Sequence, residues 1–224
     1  MNRRELLWIP LLLVVGLAGL WTFLHYYREA FPAASLDFKL SREEVFESAE
    51  QYVKGLGYDT KEYESAQIFS SSAMQQIFME QTVGLEETNR LALDWLSIWT
   101  WNVRWYKPLQ KEEFGVGLDP GGRVVRFSHN ILESDEGSSL EQEKALTIAQ
   151  GFLEKNQQFD LAGYELIERT SKERKARIDH TFTYRRNGFT VGDDGHYRLE
   201  VVVQGDQVGR FREYLKVPET FSRE

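Results

Sequence analysis

The chain has 224 residues, a net charge of −8, 42 % apolar residues and no cysteine. The apolar and aromatic content excludes a disordered or low-complexity chain. Without cysteine the chain has no disulfide framework, thiolate metal site or cysteine nucleophile. The acidic balance argues against nucleic acid as a partner, because phosphate binding needs clustered lysine and arginine. The length allows one or two small domains.

The beginning of the chain predicts a transmembrane anchor at 6–27, since this stretch contains no charged side chain and about 20 helical residues cross a bilayer core. The residues expected to contact the lipid bilayer, with aromatic side chains near both ends, are Leu6, Trp8, Trp21, Leu24, Tyr26 and Tyr27. A cleaved signal peptide is the alternative, but its apolar region is usually shorter. Arg3 and Arg4 precede the span, so the positive-inside rule predicts a cytoplasmic N-terminus (1–5) and an extracytoplasmic remainder at the cell membrane.

The rest of the chain contains two copies of one repeated unit. After a juxtamembrane linker (28–39), the first copy occupies 40–133 and the second 140–218, with a polar linker at 134–139 and a tail at 219–224. The segment AEQYVKGLGYDTKEYE of the first copy corresponds to AQGFLEKNQQFDLAGYE of the second. Both copies later contain the pattern G-x-x-V-x-R-F.

Each copy is predicted to open with a helix. Ser41 with Glu44, and Ser139 with Gln142, have the spacing of capping boxes. The apolar residues that share one helical face are Val45, Ala49, Tyr52 and Val53 in the first copy, and Ala145, Ile148, Ala149, Phe152 and Leu153 in the second. Gly55 and Gly57 are expected to end the first helix.

The second half of each copy alternates apolar and polar residues, which is typical of strands. The first copy predicts strands at 101–105, 114–118 and 123–127, and the second has counterparts around 182–184, 197–203 and 208–211. An insertion at about 70–98 of the first copy predicts two short helices. The fold class is therefore α+β, with each unit a helix packed on about three antiparallel strands.

This pattern resembles the PepSY domain, a short helix followed by an antiparallel sheet. The tandem copy behind one span is similar to the N-terminal region of some bacterial CPBP-family (CAAX-like) intramembrane metalloproteases, through the segments WYKPLQKEEF (105–114) and VVVQGD (201–206). The resemblance implies a regulatory or interaction domain. The catalytic motifs of that family do not carry over, because Glu86 to Arg90 reads EExxR rather than EExxxR and His129 lacks the family's spacing.

No catalytic, cofactor or metal motif is found in the sequence. No two histidines stand at metal-ligating spacing. The carboxylate doublets, such as Glu43-Glu44 and Glu112-Glu113, are adjacent in sequence and so are expected to be solvated faces or helix caps. We therefore expect no cofactor and no enzymatic activity in this chain.

The tryptophan-rich segment is the least usual feature. Trp95, Trp99, Trp101 and Trp105 lie within twelve positions, and the last three share the parity that places side chains on one face of a strand. One interpretation is a hydrophobic face packed on the helix. The alternative is an interaction surface, because aromatic side chains dominate binding hot spots.

Three functions remain open from the sequence. The first is a non-catalytic, membrane-anchored extracytoplasmic module that contacts an intramembrane protease domain or another envelope protein. The second is the N-terminal fragment of such a protease. The third is a cell-envelope module that binds a peptide or glycan with the four tryptophans.

Overall fold

The structure, a computed structural model, describes residues 3–30, 39–94 and 96–222. It begins with helix α1 (Arg3–Ala30), which contains Pro10 in its early turns. Within α1 the stretch Trp8–Tyr27 is long and apolar enough to cross a membrane. Its large side chains stay exposed, with Trp8 at 61 % and Leu24 at 65 %. The predicted anchor residues therefore lie on one uninterrupted helix, and its stretch Trp8–Tyr27 is not covered by the rest of the described chain.

The remaining elements form a helix layer on one antiparallel sheet. The helices are α2 (Arg42–Gly55), α3 (Ala73–Val83), α4 (Leu85–Asp94), α5 (Gln142–Gly151) and α6 (Glu219–Ser222). The strands are β1 (Glu64–Ser71), β2 (Trp99–Tyr106), β3 (Glu113–Leu118), β4 (Val124–Asn130), β5 (Tyr164–Glu173), β6 (Ile178–Val191), β7 (Gly195–Gln204) and β8 (Gln207–Lys216). Their order across the sheet is β1-β2-β3-β4-β8-β7-β6-β5.

This order corrects the expected number of strands. Each copy contributes four strands rather than three, and the two sets join through β4 and β8 into a single eight-stranded sheet. The additional strands, β1 and β5, lie at the two edges of the sheet. Their mostly exposed sequences, such as ESAQIFSS in β1, lack the strict alternation that identifies a half-buried strand.

The first helix follows its sequence signals closely. Ser41 accepts a hydrogen bond from the backbone N–H of Glu44, and the Glu44 carboxylate accepts one from the Ser41 N–H at 2.8 Å, so the capping box is complete. Helix α2 ends at Gly55, and Gly57 takes a positive φ of 93°, a conformation that glycine adopts at little cost. Val45, Ala49 and Val53 of this helix are fully buried.

The second predicted capping box is wrong. Helix α5 begins at Gln142, its N-cap is Glu141, and no side chain caps it. The motif therefore starts two residues too early, and Gln142 instead donates to the hydroxyl of Ser171. The predicted apolar face is still correct, because Ala145 and Ala149 are buried. After α5 the chain continues as a π-helical turn, Phe152–Asn156.

The β4–β8 junction pairs equivalent residues of the two copies. Phe127 and Phe211, the last residues of the repeated G-x-x-V-x-R-F pattern, are direct partners. An antiparallel pairing of equivalent positions places a local pseudo-two-fold axis between them. Both rings are fully buried and contact the helix layer, Phe127 through Tyr52 at 5.8 Å and Phe211 through Phe152 at 5.7 Å between ring centroids.

The insertion forms two helices, as predicted, and links the copies at one end of the sheet. Phe78 of α3 packs on Phe221 of α6 with ring centroids 5.1 Å apart, and α3 also contacts β6. Helix α4 contacts α1, and the N–H of Lys39 donates to the carbonyl of Pro120 at the same end. We call this the anchor end of the sheet.

Candidate functional site

Trp99, Trp101 and Trp105 do not form an exposed surface. Trp99 and Trp105 are only 4 % and 1 % exposed, and Trp105 packs on Phe46 of α2. Trp101 is partly buried against Phe69. Trp95 lies outside the described residues. The shared parity was read correctly, but it places these side chains on the helix-covered face, since their large apolar area is stabilised by burial. The predicted interaction surface is therefore corrected to core for Trp99 and Trp105.

The opposite face of the sheet is open and polar. Along β7 every second residue is buried while its neighbours stay accessible, the pattern of a sheet with one covered face. Arg104, between Trp101 and Trp105, belongs to this open face, as its parity predicts. Any binding surface formed by the sheet must therefore be built from residues of this face.

Two glycines lie on the open face of strand β3. Gly115 pairs with Arg104 and Ser128, and Gly117 pairs with Asn102 and Arg126. A Cβ atom at Gly117 would lie 3.0 Å from the Cβ of Arg126, and one at Gly115 would lie 2.7 Å from the Ser128 hydroxyl. Glycine inside a strand often marks the close approach of a ligand or another backbone. Here the close approach comes from the neighbouring strand β4, whose Ser128 and Arg126 side chains occupy the space that a Cβ would take.

A trough of about 350 Å³ is lined by residues of β1, β2, β4 and β8 and by the segments that precede α3 and β2. At one end lie Ser70 at the end of β1 and the first turn of α3; at the other lie Arg212 and Tyr214 of β8. The remaining polar lining comes from Ser71, Ser72, Gln75, Ser97, Thr100, Asn102, Arg126 and Glu213. The amide of Asn102 donates to the Ser70 hydroxyl at 3.0 Å, which orders this wall. The lining is rich in hydroxyl, amide and guanidinium groups.

A second hollow, of about 250 Å³, adjoins the trough and shares Arg126 and Arg212 with it. Ser128, Asn130 and Arg210 complete its polar wall. Because Arg126 faces Arg212 and Ser128 faces Arg210 in the β4–β8 pairing, three guanidinium groups meet next to the pseudo-two-fold axis. We call the trough together with this hollow the junction site.

The positive charge of the junction site is only partly compensated. Arg212 donates twice to Glu200, at 2.8 and 2.9 Å, and Arg104 pairs with Glu113. Among the described residues, neither Arg126 nor Arg210 forms an ion pair or a side-chain hydrogen bond. Glu213, which also lines the trough, is paired with Arg123. Three lining arginines and the Glu200 partner of Arg212 therefore leave a local excess of two positive charges, in a chain whose net charge is −8.

The pKa of Arg126 reflects the neighbouring positive charges. Desolvation by its surroundings, and then the positive charges of Arg212 and Arg210, lower the pKa of the Arg126 guanidinium. Like charges placed opposite each other across strands are destabilising. A bound anion would remove that repulsion.

Two other titratable clusters lie on the helix-covered side. Glu112 accepts from Tyr63 and contacts His129, each at 2.9 Å, and the interaction with His129 lowers the pKa of Glu112. Glu213 binds Arg123 and the hydroxyl of Tyr197, and burial raises its pKa. No group of three or more potential metal ligands occurs in the part of the chain that the structure describes.

The sequence analysis missed the junction site, although its signal was present. The arginine of the repeated G-x-x-V-x-R-F pattern is Arg126 in one copy and Arg210 in the other. Alternation with the buried phenylalanine places each arginine on the open face. What the sequence lacked was the pairing of β4 with β8, which brings the two arginines together.

Comparison with known proteins gives one match. Residues 97–203, just under half of the chain, match the model of the family described as the YcdB, YcdC repeated domain. The match runs from the residues before β2 almost to the end of β7, so it spans parts of both copies and contains Arg126. The description as a repeated domain agrees with the duplication within this chain. Neither the curated proteins nor the solved structures gave a match.

Proposed function

We propose that the chain is a non-catalytic, membrane-anchored binding module that presents its open sheet face outside the cytoplasm. The observation that carries this proposal is the combination of an apolar helix exposed along its length with a one-sided sheet whose polar face carries the junction site. Exposed apolar area costs about 25 cal/mol per Å² in water, so a bilayer is the natural surrounding of α1. A polar sheet face with excess positive charge is suited to binding an anionic ligand.

The proposed orientation in the membrane is inferred from the residues that precede the span. Arg3 and Arg4 favour a cytoplasmic N-terminus under the positive-inside rule. The cell membrane as location, and the PepSY-like character of the two units, follow from the resemblance given above. Association with an intramembrane protease has the same basis and remains a prediction. A partner within the membrane would meet the anchor end, where α4 contacts α1.

Cysteine labelling in intact cells tests the proposed topology, because the chain has no cysteine of its own. Leu109 is fully exposed at the turn between β2 and β3. We expect Leu109→Cys to react with a membrane-impermeant maleimide in intact cells, and Asn2→Cys to react only after permeabilisation. The chain should also stay in the membrane pellet after alkaline extraction. The reverse labelling pattern, or release of the chain by alkali, would overturn the proposal.

A further inference from the structure

We propose that the junction site binds an oxyanion, a phosphate or a carboxylate, carried by a ligand with a polar, hydroxyl-rich body. This inference rests on the proposed binding role and names the chemistry that this role would recognise. It does not depend on which side of the membrane the sheet occupies. Its basis is the position of Arg126 and Arg210 and the polar lining of the trough.

The arginines select an oxyanion. A guanidinium presents a planar fork of N–H donors that matches carboxylate and phosphate oxygens, and such charge-assisted bonds are strong. Arg126 and Arg210 make no ion pair with another described residue, so their donors are available. Arg212 stands opposite Arg126 but is held by Glu200, so it adds positive potential without being free to reorient.

The trough gives such a ligand a path away from the arginines. Arg126 and Arg212 line it on the side of β4 and β8, and Ser70 lines it on the side of β1. A ligand whose anion binds Arg126 can therefore extend its attached group along the trough towards β1.

The wall near α3 suits a polar ligand body. Ser72 is the N-cap residue of α3, yet its side chain makes no capping hydrogen bond. Its hydroxyl lines the trough together with Gln75 and Thr100. Hydroxyl and amide groups both donate and accept hydrogen bonds, and the partial positive charge of a helix N-terminus favours an anion nearby. Ligand hydroxyl groups would find partners along this wall, whereas an apolar body would leave its polar groups unpaired.

The binding test uses the full chain in phosphatidylcholine nanodiscs, with thermal unfolding followed by tryptophan fluorescence. Sodium pyrophosphate and sodium citrate are the soluble probes, and sodium chloride at matched ionic strength is the control. A third arm replaces part of the phosphatidylcholine by phosphatidylglycerol. We expect at least one of these anions to raise the melting temperature, because a ligand that binds only the folded state stabilises it.

Single substitutions test whether the rise in melting temperature comes from binding at the junction site. Arg126→Gln or Arg210→Gln should weaken binding about 10-fold or more, because a charge-assisted hydrogen bond is lost. Arg169→Gln is the matched control, since Arg169 pairs with Glu143 of α5 away from the junction site; it should leave binding unchanged. In the absence of ligand, Arg126→Gln should raise the melting temperature by relieving repulsion, an effect that a structural arginine would not show.

The outcomes separate the possible ligand sources. Stabilisation by phosphatidylglycerol that Arg126→Gln removes identifies a lipid headgroup, and stabilisation by the soluble anions alone identifies a free ligand. Absence of stabilisation in all three arms would overturn the inference. So would an equal response of Arg126→Gln and Arg169→Gln, which indicates general screening. Failure of the topology proposal appears in cysteine labelling instead, so the two results remain distinguishable.

Discussion

A single buried ring tests whether the two copies fold as one unit. Phe182 lies in β6 of the second copy and is 0 % exposed. Phe182→Ala removes a buried aromatic ring and leaves a cavity, which typically costs about 3–5 kcal/mol. That loss is a large part of the roughly 5–15 kcal/mol that stabilises a typical folded domain. Both copies share one continuous hydrophobic core, so we expect the whole sheet to lose this stability together.

The distribution of tryptophan makes the assay selective. Outside α1, all four tryptophans lie in the first copy, at 95, 99, 101 and 105. Tryptophan fluorescence during urea unfolding in detergent therefore reports on the first copy, whereas circular dichroism reports on both. We expect Phe182→Ala to shift both transitions to the same lower urea midpoint. Ile68→Ala, at a side chain that is 64 % exposed, should leave both midpoints nearly unchanged.

A different result would refute the shared core. If circular dichroism showed an early transition while tryptophan fluorescence kept the wild-type midpoint, the second copy would be unfolding alone. The reasoning from the β4–β8 pairing would then fail, because the three residue pairs of that junction would not couple the copies. A coincident shift is the test of two-state behaviour.

Two further predictions concern a cap and a buried carboxylate. Ser41→Ala should lower the unfolding free energy, measured by urea titration, by about 1 kcal/mol. Ser139→Ala should leave it almost unchanged. Equal losses in the two variants would contradict the assigned start of α5. Burial raises the pKa of Glu213, so its contribution to stability is greatest below its unfolded pKa and is lost as pH rises through the folded one. The measured quantity is the unfolding free energy of wild type minus that of Glu213→Gln. This difference should fall from about pH 4 towards neutrality. If it rises instead, the pairing of Glu213 with Arg123 outweighs the effect of burial.

Local sequence signals predicted the elements whose stability is local. The start of α2 follows from Ser41 and Glu44, which satisfy each other's backbone N–H groups. Its end follows from the glycines at 55 and 57. The same motif at Ser139 failed, because in the folded chain Gln142 donates to Ser171 instead. A capping box predicts a helix start only when no partner from another element takes its side chains.

Pairing between distant strands could not be read from either copy alone. The order of the strands in each copy follows from short connections, but the β4–β8 junction joins residues 84 positions apart, Phe127 and Phe211. Parity correctly placed three tryptophans on one face of β2, yet it could not say which face the helices cover. Which face the helices cover decides whether these tryptophans belong to the core or to the surface.

The junction site follows from the same duplication that builds the fold. A repeated V-x-R-F strand presents one phenylalanine inwards and one arginine outwards in each copy. When two such strands pair antiparallel about a pseudo-two-fold axis, the phenylalanines meet in the core and the arginines converge on the opposite face. The hydrophobic contact that joins the copies thus brings like charges together. Arg212 has its partner in Glu200, but Arg126 and Arg210 have none among the described residues, and an external anion is the partner that their position best accommodates.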